Sequence, residues 1–457
     1  MFARVNMKHK RKHIRYRFKI WHGIVALLLL LFVLFHVSGR LKLNRRVEVL
    51  RTKGYPVTLE ELDRSYAVPK GEKNAADVYL AAFSHYKKWD SDAMDAVPLV
   101  GKAELPARTE PLDAPARQAA ERFLSDNQQT LSLLHEAASI EHCQYPEDFA
   151  KESDPRASWR DSMLTAVHLL GLQVLIASEN KDVDKFLASI SASLALARSV
   201  DGPLLIHHLT HSALLARTYR SIEQAINRIS LTDEQLQRLS GWIKVSDSSE
   251  GFKQALLAEQ CLALHTFTAP LPDVSKRMGE QESGMFRMLA FSRVLGLNSR
   301  YAMNYIDLMQ ECLDALDLPD PERLETFETV QESVRSGKQG GVITHLLWPA
   351  LARTLEFDIW HQAHARVTQV GLAVERYRLA EGHLPESLDN LVPVYLEAVP
   401  VDPFNGKDLR YRVRKTGFVI YSVGEDLSDD GGAERDTRRR DSNDKPLPWD
   451  VTFIVER

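Results

Sequence analysis

Cysteine is scarce in this 457-residue chain: Cys143, Cys261 and Cys312 are its only three, widely spaced and odd in number. At most one bridge can form within it, so a disulfide framework is excluded and one thiol stays free. The short signatures of common chemistries are missing as well. No phosphate-cradling glycine loop, GxSxG nucleophile turn or HExxH pair occurs. Neither sign of charge dominates, since 58 Lys and Arg against 62 Asp and Glu leave a net charge of −4. That balance argues against nucleic acid as a partner. Long apolar runs are also lacking, except for one near the start.

That run is residues 20–37, almost unbroken and including Leu27 to Leu31. As a helix it is long enough to cross a hydrocarbon core of about 30 Å. Arg4, Lys8, Lys10, Arg11, Lys12, Arg15, Arg17 and Lys19 precede it, against the smaller group Arg40, Lys42, Arg45 and Arg46 behind it. The positive-inside rule then assigns residues 1–19 to a basic cytoplasmic tail, 20–39 to a transmembrane helix and the rest to the far side. Val37-Ser38-Gly39 offers an alternative as a signal-cleavage site, but the length of the run and the basic residues directly after it favour an uncleaved anchor. Membrane lipid is therefore the expected partner of this helix, with anionic headgroups attracting the tail.

Residues 40–341 read as a helical body. Thr58 with Glu61 and Thr232 with Gln235 form capping boxes ahead of apolar runs. Met163, Val167, Leu170 and Val174 recur at helical spacing, and Asn180-Lys181 turns the chain into Val183, Phe186, Leu187, Ile190 and Leu194. Asp201-Gly202-Pro203 is expected to end that helix and open the next, with Pro203 in its first turn. Antiparallel helices with short turns imply a multi-helix bundle or an α-solenoid-like body, and no clean repeat period is present. Breaks are expected at residues 96–111, 270–284 and 336–341, the last as a hinge into the C-terminal region.

Within this body His207, His208 and His211 lie on one stretch, IHHLTH, where histidines four apart share a helix face. They define the alternative reading of the chain, a membrane-tethered metal-dependent enzyme. No acid follows them in the HExxH manner. His361 with His364 and Cys261 with His265 are further two-residue pairs. Two ligands on one helix do not complete a site, so packed or surface side chains of ordinary helices are the expected explanation and catalysis the minority reading.

The C-terminal region, residues 342–457, opens with a helix carrying Val367, Val370, Leu372, Val374, Tyr377 and Leu379, which Gly382 stops. Pro385 starts a short turn that carries Leu388 and Leu391 inward, and Pro393 and Pro400 bracket Val394, Tyr395, Leu396 and Val399 as packing residues. Asp402-Pro403 and Asn405-Gly406 are turn dipeptides. Leu409, Tyr411 and Val413 then alternate with Arg410, Arg412 and Arg414, the period of a half-buried strand with one apolar and one basic face. A tight turn at Lys415-Thr416-Gly417 makes a hairpin with the strand Phe418 to Val423, and Val451 to Val455 supplies a third strand. Between the second and third lies Gly424-Glu425-Asp426-Leu427-Ser428-Asp429-Asp430-Gly431-Gly432. Carboxylates and glycines suit a hard cation such as Ca²⁺. The spacing is not that of an EF-hand, so composition alone favours a solvated acidic turn. Arg438-Arg439-Arg440, set among acids, reads as a solvated face.

This order of elements resembles the C-terminal domain of type II secretion major pseudopilins. The residues that carry the resemblance are Leu391-Val392-Pro393-Val394-Tyr395-Leu396, Asp402-Pro403, Tyr421-Ser422-Val423-Gly424 and Asp450-Val451. It implies a calcium-binding loop, with Asp426 and Asp450 as carboxylate ligands and Asp429 or Asp430 as a further one. It also implies a bacterial inner-membrane setting, periplasmic bulk and an envelope protein as partner. The loop is longer than the family pattern by an insert at 435–445. The family's assembly signature is missing, because Gly23 precedes Ile24 but the fifth position is Leu28, not Glu. A mainly α protein follows: transmembrane helix, helical body, and a small α+β domain with an antiparallel sheet. Its expected role is a membrane-anchored periplasmic scaffold or secretion-associated binding protein.

Overall fold

The computed structural model describes residues 2–66, 71–146, 159–200, 202–246, 250–278, 284–434 and 449–457. Asp201, the insert 435–445 and Arg438-Arg439-Arg440 lie outside the described residues. Among those described, the chain forms seventeen α-helices, one 3-10 turn and one three-stranded sheet, so it is mainly helical. The first six helices are α1 (Phe2–Thr52), α2 (Leu59–Tyr66), α3 (Ala75–His85), α4 (Ser91–Asp95), α5 (Ala114–Asp126) and α6 (Gln128–Ala137). A central group follows: α7 (Trp159–Glu179), α8 (Val183–Ser199), α9 (Leu205–Ile226), α10 (Asp233–Ser246) and α11 (Glu250–Thr268). Then come α12 (Leu271–Met278), α13 (Gly284–Val294), α14 (Asn298–Ala315), α15 (Asp320–Arg335), α16 (Gly341–Leu347) and the long α17 (Leu351–Glu381). The strands are β1 (Arg410–Arg414), β2 (Gly417–Ser422) and β3 (Val451–Val455).

The local signals act largely where expected. Thr232 and Gln235 cap α10 reciprocally at 3.3 and 2.9 Å. Thr58 accepts from the Glu61 N–H, while the Glu61 carboxylate reaches one residue further back, to the Val57 N–H. Gly382 ends α17 in the left-handed region, φ 79°, where a side chain would be strained. Two expectations fail. Residues 271–278 form α12 inside the expected break at 270–284, because Pro272 sits in the first turn, where its missing N–H is tolerated. Pro203 stands ahead of α9 and not in its first turn, since the helix begins only at Leu205.

Helices α7, α8 and α9 pack on one another at the centre. Ser189, Ala192, Ser193 and Ala197 in α8 are small enough to let its neighbours approach closely, and all are buried. α7 is long and apolar enough to cross a membrane, but 72% of its apolar window is buried inside the protein. α1 differs. Its apolar stretch is fully exposed, then the same helix continues without a break to bury Leu43 and Leu50 against α14. Each buried leucine contributes on the order of 2 kcal/mol. Arg46 pairs with Asp307 at 2.8 Å and Lys53, just past the end of α1, donates to Gln310 at 3.1 Å, so α1 and the residue after it follow α14 in the same direction.

α17 is surrounded. It packs against α9, α10 and α15 on the body side and against β2 and β3 on the other, and one apolar core runs through all of them. This is why its apolar residues are not confined to one side. Phe357 and, in the last turn, Leu379 are the exceptions, both exposed. Gly371 leaves room for the Phe453 ring, since a Cβ there would lie 2.1 Å from Cδ1. In the sheet, ordered β1-β2-β3, Arg414 pairs with Gly417 and Phe418 with Val455. Leu388 and Leu391 turn inward as expected, whereas Val394, after the 3-10 turn, and Val413, on the edge strand β1, are exposed. The other edge, β3, is covered by α9: Asn227 Nδ2 donates to the Ile454 carbonyl at 2.8 Å and its Oδ1 accepts from the Glu456 N–H at 2.7 Å.

Candidate functional site

The acidic loop folds back over the outer face of the sheet, where Gly432 comes close to Val419 and Tyr421. The basic face of β1 meets it there. Arg410 pairs with Asp429 at 3.0 Å, and Arg412 reaches the Gly431 carbonyl at 3.4 Å. Asp429 also accepts from the Tyr421 hydroxyl at 3.1 Å and the Gly431 N–H at 3.0 Å. Burial alone would raise its carboxyl, but these donors and the two guanidiniums hold it below the usual range. Asp429 is therefore already neutralised by protein.

The other three carboxylates are placed differently. Asp426 accepts from the Ser428 N–H at 3.0 Å in a local turn. Asp450 is buried and receives the Gly432 N–H at 2.7 Å and the Asp430 N–H at 3.5 Å, which fixes the loop to the start of β3. Asp430 Oδ2 is buried without a hydrogen-bond partner. Burial raises the Asp430 carboxyl, and the charges of Asp426 and Asp429 raise it further. Asp450 is raised by burial first, then by Asp430 and Asp429. Oxygen donors and uncompensated negative charge fit a hard cation in kind. Even so, among the described residues no group of three or more His, Cys, Asp or Glu side chains is arranged to hold a metal ion.

Asp402 has a purely structural part in this region. Its carboxylate accepts from Ser422 Oγ at 2.8 Å, the Val423 N–H at 2.9 Å and the Phe404 N–H at 3.0 Å, stapling the Asp-Pro turn to the end of β2. A second fastening ties the loop to the body. Arg108, from the segment between α4 and α5, donates to Glu223 of α9 at 2.9 Å and also binds Glu434 at the end of the loop. Burial pushes Glu223 up to about 7 even with Arg108 beside it.

The histidines of α9 separate. His207 turns toward Tyr66 and Trp159, with its Nδ1 accepting from the Leu204 N–H at 3.4 Å. His208 and His211 face α17 instead. His208 Nε2 is 3.0 Å from the Asp358 carboxylate, and His361 lies 3.9 Å from the same oxygen. His211 Nδ1 donates to the Ala197 carbonyl at 2.8 Å and its ring meets His361 edge-on. Burial would raise Asp358, but the His208 hydrogen bond and the nearby His361 ring hold it far below the carboxylate range. Burial pushes His211 down to about 3, with His361 and His208 adding to the effect. His364, against Trp360, is likewise pushed down to about 3 by burial, then by Arg220 and His361. Cys261 is buried in the contact between α2 and α11. The expected set of His207, His208 and His211 is thus not one ligand set, and Asp358, which organises two of the buried rings, was missed because it is distant in sequence.

Comparison of the chain with protein-family models, with curated proteins and with solved structures finds no match.

Proposed function

We propose that this chain is a single-pass bacterial inner-membrane protein that presents a rigid scaffold on the periplasmic side, for an envelope protein or a secretion-associated partner. One observation carries the reading. The exposed apolar stretch of α1 continues without a linker into the turns that bury Leu43 and Leu50, so the anchor and the body are one mechanical piece. Such a helix fixes the height and orientation of the body above a bilayer, as a scaffold requires. The basic tail before the run supports a cytoplasmic N-terminus. A chain with Cys143, Cys261 and Cys312 replaced and Val413→Cys introduced on exposed β1 provides the test. A membrane-impermeant maleimide should label it in cells whose outer membrane alone is permeabilised; labelling only after the inner membrane is broken would reverse the topology.

A second reading concerns the acidic loop, and the unpartnered Asp430 Oδ2 favours it. Calcium held by Asp426, Asp430 and Asp450 together with loop carbonyls would relieve their mutual repulsion and pin the start of β3. Asp429, committed to Arg410, would take no direct part.

A further inference from the structure

α13 is apolar on two sides, and one of them is left uncovered by protein. Met288, Phe291, Val294 and Leu295 fall at helical spacing on one stripe, and that stripe faces solvent, with Phe291 64% and Val294 68% exposed. Its orientation is fixed from the other side. Leu289 is buried, and Arg293 reaches inward to donate to the Thr266 carbonyl at 2.8 Å and to the Ala269 carbonyl, at the C-terminal end of α11. Arg293 is thus turned in while Met288, Phe291, Val294 and Leu295 face out, with Arg287 exposed on the same helix. α16, which packs on α13, repeats the pattern with Val342 59% and Leu346 48% exposed.

The position of α13 says what covers this surface. Gly296, just past its end, is so close to α1 that a Cβ there would lie 2.5 Å from His36 Nε2. A Cβ at Gly39 would likewise meet Ser299 at 3.5 Å. His36 belongs to the last turn of the apolar run 20–37, so α13 ends at the level where that run leaves the hydrocarbon. The end of the α13 stripe therefore lies beside the end of the exposed apolar run of α1. Arg40, Lys42 and Arg45 follow on α1, Arg300 adjoins Ser299, and Arg287 lies on α13 itself, all exposed and able to meet anionic headgroups.

We propose that α13, with α16 beside it, is a monotopic docking surface that seats the body on the bilayer by burying Met288, Phe291, Val294 and Leu295 in its interface. This rests on the reading of α1 as a span. It adds a second attachment, which resists tilting of α1 and the body together against the bilayer.

The test uses the full chain, with Cys143 replaced by Ser, in vesicles of phosphatidylethanolamine and phosphatidylglycerol carrying brominated acyl chains. An environment-sensitive fluorophore is attached in separate variants at Phe291→Cys, Val294→Cys, Leu31→Cys and Val413→Cys. We expect the probes at 291 and 294 to be blue-shifted and quenched by the brominated lipid like that at 31, and the probe at 413 to be neither. Quenching at 31 with water-like emission at 291 and 294 would overturn the docking surface while leaving the span intact. Probes at 291 and 294 that are blue-shifted but unquenched would mean that protein, such as a second copy of the chain, covers the stripe, and would also overturn it. Absence of quenching at 31 would remove the span and the docking surface together.

Discussion

Asp430 is the residue whose charge is least compensated in the C-terminal loop, with one oxygen buried and unpartnered and two acids raising its carboxyl after burial has done so. If Ca²⁺ answers that charge, calcium should raise the melting temperature, and Asp430→Asn, which keeps the shape, should remove most of the rise. A ligand at about a hundred times its dissociation constant stabilises by about 2.7 kcal/mol, well within reach of a thermal melt. Asp450→Ala is a poorer test because Asp450 also holds the Gly432 N–H, so its loss disturbs the loop whether or not a cation binds. An equal rise in wild type and Asp430→Asn would leave the loop as an acidic turn bound to the arginines of β1. Several residues at this scale were legible in the sequence. Gly382 and the Thr232–Gln235 pair act through neighbours within a few positions, so their chemistry is local. Asp402, Arg108 and Asp358 were not, because their partners lie 20, 115 and 150 residues away.

Among the elements, α17 carries the sheet, and Gly371 is the point of closest approach. Helix propensity alone predicts that Gly371→Ala stabilises by about 1 kcal/mol. Overpacking predicts the opposite, a loss of about 1–3 kcal/mol, because the new methyl would overlap the Phe453 ring. We expect the loss to win in denaturant unfolding, and Phe453→Leu combined with Gly371→Ala to show less than the sum of the two single changes. A more stable Gly371→Ala would mean that the helix and β3 are less tightly apposed than described. The strands and their hairpin could be read from alternation and turn residues, because those are period-two and local signals. The exposure of Val413 could not, since an alternating pattern does not show that β1 is an edge strand. Nor does the sequence of α13 tell which of its two apolar sides faces out; the contact of Arg293 with α11 decides that.

For the whole molecule, one apolar core joins the helical body to the sheet through α17, and α1 joins that body to the exposed apolar stretch. Composition and periodicity predicted the helical character and the apolar N-terminal helix. They did not reveal that α1 runs on into the body, because Leu43, Val47 and Leu50 acquire meaning only against α14. The central claim is that this helix is an integral anchor and not merely an adhesive one. Alkaline carbonate strips proteins held by charge or by a surface-seated helix and leaves spanning ones in place. Membranes containing the full chain should keep it through that wash, while a chain beginning at Lys42, which retains Leu43 and Leu50 for packing on α14, should be released. Release of the full chain into the supernatant would contradict the account.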